Sequence, residues 1–247
     1  MLAVLLRALE SRSNLVRTVG LMLLSCCGPN AVPVETLLRL LLNDPSTYVR
    51  LVAISMLQQS RGPIEISRFC KALGDSSILV ATLCAQTLAR DGDQSAVPHL
   101  VEALSKQVRD ARPSAVDERW RAWISDPSAL SEERQGFIRA LVAGLHKMCD
   151  SRALPVLVRT LQVDDEQIQA DALRALHRIR SAYPESDLGP KQELVRAIGP
   201  LRSFPSWPEA RALLHEIESR PDISFPVPAM SPETDATLLP VVGEPPR

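Results

Sequence analysis

Asp93-Gln-Ser-Ala-Val-Pro-His-Leu-Val-Glu-Ala-Leu104 returns 57 residues later as Asp150-Ser-Arg-Ala-Leu-Pro-Val-Leu-Val-Arg-Thr-Leu161. The shared pattern, D-x-x-A-[VL]-P-x-L-V-x-x-L, reads as a helix start followed by its helix. The first amides of a helix have no intrahelical acceptor, so an Asp, or the Ser that follows it, is placed to cap them. A Pro in that first turn forfeits little for the same reason. Leu100 and Leu104, like Leu157 and Leu161, then fall at i, i+4 on one apolar face.

A second series recurs with a shorter period. Val16-Arg17, Gly20, Leu21 and Leu24 align with Val49-Arg50, Ala53, Ile54 and Leu57, 33 residues on. Val80, Cys84, Ala85 and Leu88 follow after 31 more, and Ile168, Ala172, Leu173 and Leu176 repeat the pattern again. A small residue in mid-helix lets a neighbouring helix approach, and the larger ones fill the gap. Self-similarity at a fixed spacing of this size is the signature of a solenoid. Spacings of 31 to 33 are short for an armadillo unit, and the marker residues of tetratricopeptide and ankyrin repeats are absent.

With a first helix of the form A-[VL]-P-x-L-V-x-x-L, an acidic turn and a second helix of the form [VI]-R-x-x-A-[IL], residues 1–181 resemble the short HEAT repeats of phycobilisome-lyase type. The resemblance implies an all-α solenoid of stacked antiparallel hairpins. It also implies that Arg17 and Arg50 reach an Asp or Asn in an adjacent inter-helix turn, here Asn14 and Asp44. On function it is nearly silent, because such repeats occur in scaffolds, adaptors and a few enzymes.

The expected hairpins are 1–27, 31–61, 63–91, 93–148 and 150–181, punctuated by Gly28-Pro29-Asn30, Asn43-Asp44-Pro45, Gly62-Pro63 and Asp91-Gly92. The fourth carries an insertion, 106–130, containing Asp117-Glu-Arg-Trp-Arg-Ala-Trp-Ile124. A less regular pair follows near 191–202 and 208–220, closing a solenoid domain of 1–220. Seven of the last 27 residues are Pro and the apolar ones show no helical period, so 221–247 reads as a disordered tail.

Composition agrees with this architecture. Hydrophobic residues make up 45% and aromatics only 4%, a palette of Leu, Val, Ile and Ala suited to packed helices. A net charge of −1 supplies no bulk attraction to nucleic acid or anionic lipid, so no nucleic-acid partner is expected. The five cysteines are odd in number and lack C-x-x-C spacing, as buried thiols of a reducing compartment would be. The opening Met1-Leu-Ala-Val-Leu-Leu-Arg7 lacks a basic leader, and no apolar run is long enough to span a bilayer, so the expected location is cytoplasmic.

Patterns that carry chemistry are missing. His99, His146, His177 and His215 stand singly, with no H-E-x-x-H, glycine-rich phosphate loop or nucleophile elbow. His146 with Cys149 and Asp150 forms at most the edge of a metal site, without a fourth ligand nearby in sequence. No catalytic residue, cofactor or metal is assigned.

The expected function is a non-catalytic protein-interaction or scaffold module. The alternatives are a bilin lyase-like enzyme or enzyme subunit, which the resemblance allows, and a nucleic-acid-binding solenoid, which the charge disfavours. Two places suit a partner. Trp120 and Trp123 lie three apart between arginines, a pairing common at interface hot spots. The first hairpin is apolar on nearly every side, through Leu2, Leu5, Leu6 and Met22, whereas a terminal repeat ordinarily needs a polar outer face. The expectation is therefore that another surface covers it, a second copy among the possibilities.

Overall fold

The structure is a computed structural model that describes residues 1–28, 30–60, 65–111, 132–163 and 165–184, with Ala212 and His215 as isolated positions. Five helical hairpins follow one another: α1 (Leu2–Ala8) with α2 (Asn14–Cys26), α3 (Val34–Asn43) with α4 (Thr47–Gln59), α5 (Ile66–Ala72) with α6 (Ile78–Asp91), α7 (Val97–Ala111) with α8 (Glu132–Met148), and α9 (Leu154–Thr160) with α10 (Glu166–Ala182). Every regular element among the described residues is helical.

Acidic side chains start the segments that lead into α7, α9 and α10. Asp93 Oδ1 accepts from the Ser95 amide at 2.7 Å and Asp150 Oδ1 from the Arg152 amide at 2.9 Å, each opening a 3₁₀ turn that runs into α7 or α9. The aspartate rather than the serine makes the cap. Asp165 accepts from the Ile168 amide at 2.8 Å and begins α10. These bonds to backbone and to Arg152 hold Asp93 and Asp150 below the usual carboxylate range, through the Ser95 hydroxyl and amide for the first and chiefly the Arg152 guanidinium for the second. Gly92 closes α6 in the left-handed conformation, φ 79°, which a Cβ would oppose.

The second helices form one layer, α2 against α4, α4 against α6, α6 against α8 and α8 against α10. The first helices form the other, with α3 beside α5 and α7 beside α9. The core runs between the layers. Leu38, Phe69, Leu100 and Leu157 are buried at equivalent places, as the repeat register requires, and Leu5 packs half-buried against the same core. One close approach is at Gly144 of α8, where a Cβ would stand 3.2 Å from Leu100 Cδ1 and 3.4 Å from Ala89 Cβ.

One sequence expectation needs adjustment. Helix α7 continues to Ala111, so the stretch read as an insertion begins inside a helix. The rest of it, with Trp120 and Trp123, lies outside the described residues, as do the pair near 191–220, apart from Ala212 and His215, and the Pro-rich tail.

Candidate functional site: an outward apolar face on the first hairpin

Helix α2 has two unlike sides. Its inner side buries Arg17, Gly20, Leu21 and Leu24. Gly20 lets α1 approach, since a Cβ there would lie 3.2 Å from Ala8 Cβ and 3.4 Å from Leu9 Cδ2. Arg17 then ties the hairpin to its neighbour. Its Nε and Nη2 donate to the two Asp44 carboxylate oxygens at 2.7 and 2.9 Å, while Nη1 donates to the carbonyls of Ser11 and Arg12. The hydrogen bonds that Arg17 donates to Asp44 outweigh burial and raise the Arg17 pKa further, so the guanidinium stays charged.

The same device recurs one repeat on. Arg50 donates from Nε and Nη2 to Asp75 at 2.8 Å each, and from Nη1 to the Asp44 carbonyl. The expectation of Asn14 and Asp44 as respective partners is thus corrected by one repeat: each guanidinium binds its own hairpin's loop through carbonyls and the next hairpin's aspartate through a fork. Those aspartates double as caps, Asp44 on the Ser46 amide and Asp75 on the Ser77 amide. The ladder then stops. Ala81 has no reach, and Gln169 bonds only the Leu161 and Val163 carbonyls of its own loop. It is a structural clasp rather than a ligand strip.

The outer side of the hairpin is apolar and open. Leu2 is 47% exposed, Val4 72%, Val16 44%, Met22 54% and Leu23 48%, with Leu15 and Val19 beside them. Leu5 and Leu6, expected with Leu2 and Met22 at this site, are only half-buried against the core. Most of the exposed large hydrophobic side chains among the described residues belong to these two helices, five of them on α2.

Register shows what kind of patch it is. Val16 aligns with Val49, Val80 and Ile168, all fully buried. Leu23 aligns with Met56, Thr87 and Ala175, each no more than 1% exposed. Helix α5 is as short as α1, seven residues, yet Val80 above it is buried, so a short first helix does not explain the exposure of Val16. What differs is the neighbour, since α4 packs on α2, α6 on α4, and α10 on α8. Gln58 of α4 shows how that cover works: its Nε2 donates to Thr87 Oγ1 of α6 at 3.0 Å. Val16 and Leu23 are therefore open at places that are covered in the later hairpins, whereas Leu15 and Met22 stand at places that are exposed there too, as Tyr48 and Leu79 are for the first and Gln86 and Arg174 for the second.

Reactive groups lie elsewhere and are subdued. A cleft of about 280 Å³ between α5–α6 and α7–α8 is lined by Cys70, Lys71, His99, Glu102 and Phe137. Burial pushes the Cys70 thiol up to about 11, so it is protonated near neutrality and a poor nucleophile. Burial raises the Cys84 thiol further. His146 is held below its ordinary value by burial and by Arg178 and Arg174, whose charges also oppose a bound cation. No group of three or more His, Cys, Asp or Glu side chains suited to a metal gathers among the described residues.

Comparison with known families agrees with the hairpin architecture. Residues 34–118 match the model for HEAT repeats, and residues 146–181 match the Armadillo/beta-catenin-like repeat. The 31–33 spacing was measured on the first three second helices, whereas residues 146–181 join the end of α8, a 3₁₀ turn, α9 and α10 in one unit. No curated protein matches the chain. HEAT and Armadillo repeat proteins generally serve as protein-binding scaffolds. No helix among the described residues is long and apolar enough to cross a membrane.

Proposed function

We propose that this HEAT/Armadillo chain is a non-catalytic protein-interaction module of the cytoplasm, a solenoid domain over 1–220, which docks a protein partner on the outer face of α1 and α2. The observation that carries the reading is the register: Val16 and Leu23 stand open where their counterparts Val49, Val80, Met56 and Thr87 are covered by a neighbouring hairpin. Covering such a face gains roughly 25 cal/mol per Å² of apolar surface removed from water. Leu2 and Met22 form part of the contact, and Leu5 and Leu6 support it from below. Trp120 and Trp123 are proposed as a second contact, on sequence grounds alone.

The test is cross-linking and mass spectrometry on tagged chain expressed in its native source. Cross-links from other proteins should map to the α1–α2 face and be lost in the Val16→Glu, Met22→Glu double variant, while the variant melts like wild type. Cross-links that survive both substitutions, or that map to other helices, would contradict the reading.

A further inference from the structure

We infer that the second-helix layer, over α4, α6, α8 and α10, binds an extended segment of another protein that is apolar at one end and acidic at the other. Its apolar side chains settle on α4 and α6, and its carboxylates meet the cations of α8 and α10. This surface is separate from the outer face of the first hairpin.

The positions concerned are interior to the stack. Helix α4 packs between α2 and α6, α6 between α4 and α8, and α8 between α6 and α10. With both flanks and the first-helix layer filled, what these helices expose points away from the stack. On α4 and α6 that face is bare of charge. Tyr48 and Leu79 hold the same place in the repeat and are 73% and 46% exposed. One turn on, Val52 and Leu83 are half-buried, and Ser55 and Gln86 follow on the same side. The single charge of α4, Arg50, is drawn inward by Asp75, and α6 has none before its last turn.

Beyond Gln86 the face turns cationic. Arg90 ends α6, Arg139 and Lys147 are exposed on α8, and Arg174 and Arg178 are exposed on α10, in the places of Gln86 and Arg90. Of these five, only Arg174 has a carboxylate partner among the described residues, Asp171 at 2.6 Å. The exposed acids Glu132, Glu133 and Glu166 are confined to the first turns of α8 and α10, and Asp91 closes α6.

Two chemistries therefore adjoin on one face, and together they select the occupant. A wholly apolar segment would strip water from unpaired cations without replacing it. A nucleic-acid strand would match the cations but carry a phosphate at every step, including those over uncharged α4 and α6. A protein segment with apolar residues at one end and carboxylates at the other satisfies both halves. Spacing fits an extended chain. Packed helices stand about 8–10 Å apart. A chain with three residues per turn advances about 9 Å per turn, so every third side chain meets the next hairpin.

The experiment is fluorescence anisotropy on the purified full chain with two labelled proline-rich peptides. Each has leucine at two successive third positions and glutamate at the next two, and one is the reverse of the other. One of them should bind, more weakly as salt rises. Tyr48→Glu with Leu79→Glu should weaken binding at least about 10-fold, and so should Arg174→Glu with Arg178→Glu. Arg39→Glu, the same change of charge at an exposed place in the first-helix layer, should leave it unaltered. All of these side chains are exposed, so the variants should melt like wild type. Exchanging the glutamates of the bound peptide for lysine should abolish binding. Failure of both peptides to bind wild type, undiminished binding by both paired variants, or binding of the lysine peptide would overturn the inference. Tighter binding of a labelled single-stranded oligonucleotide would overturn it too and assign the face to nucleic acid. The substitutions leave the first hairpin intact, so this result and the cross-linking result can fail separately.

Discussion

Hairpins one to three and hairpins three to five are joined by different physics. The first two junctions are clasped: Arg17 to Asp44 and Arg50 to Asp75, each fork reinforced by backbone carbonyls. The later junctions have Ala81 and Gln169 in the places of Arg17 and Arg50. They rely on the 17-residue helices α8 and α10, and the most extensive helix pairing in the described molecule is α6 with α8. There Phe137, Ile138, Leu141, Val142 and Leu145 are all buried, and Gly144 brings the backbones close. A buried ion pair fixes geometry but returns little net stability, because both charges lose water. The clasped half therefore gains its register from charge and its stability from modest apolar contact. The packed half gains both from close-fitting side chains. The least buried apolar surface lies at the outer end of the clasped half, where an incoming surface would dock.

Large-to-small changes in the packed half should have the greatest effect. Leu100→Ala and Leu157→Ala each remove a fully buried side chain and should cost about 4 kcal/mol in denaturant unfolding, whereas Leu23→Ala on the open face should cost under about 1 kcal/mol. Equal losses at the three positions would dissolve the distinction between core and docking face.

Next comes the clasp. Asp44→Ala strands the Arg17 guanidinium and uncaps Ser46, and should cost roughly 3 kcal/mol. That is the lower end for a stranded buried charge, because the Ser11 and Arg12 carbonyls still hold one side of the guanidinium. Arg17→Met with Asp44→Asn should recover at least half of the loss. If the double variant is no better than the single one, the pair stabilises the fold more than the argument allows.

Gly144→Val should overpack the α6–α8 contact and cost about 2 kcal/mol, with no counterpart at Gly136, where an added Cβ meets nothing within 4 Å.

The smallest expected effect is titrable. His146 has a folded pKa below its ordinary 6.5, so above that value both folded and unfolded imidazoles are neutral and pH has no leverage. As pH falls below 6.5 the unfolded chain takes up the proton first, and stability declines until the folded pKa is passed. His146→Gln should flatten that decline in thermal melts. Arg178, Arg174 and Asp171 face the ring, and a slope unchanged by the substitution would assign it to other groups.

Much of this was legible in the sequence because repeats print their packing twice. The D-x-x-A-[VL]-P pattern disclosed two helix starts and the capping role of Asp93 and Asp150, and the small-residue series disclosed which side of each second helix is buried. The partner of each arginine was not legible. Asn14 and Asp44 are near in sequence to Arg17 and Arg50, and only the stacking distance between hairpins shows that the fork reaches forward to the next turn. The first hairpin's apolar character was visible as composition. That Leu5 and Leu6 turn inward while Val16, Val19 and Leu23 turn outward depends on which flank the second hairpin covers, and periodicity alone cannot choose between the two flanks.

The central claim is that the outer face of α2 is covered when the protein is at work, and radical footprinting of Met22 tests it most directly. Met22 is 54% exposed in the isolated chain, whereas Met56, which stands at the place of Leu23 in the next hairpin, is 1% exposed and serves as the buried internal reference. The account predicts that Met22 is oxidised readily in dilute purified protein and protected to nearly the level of Met56 in material isolated at native concentration. Equal oxidation of Met22 in both preparations, with Met56 protected throughout, would contradict it.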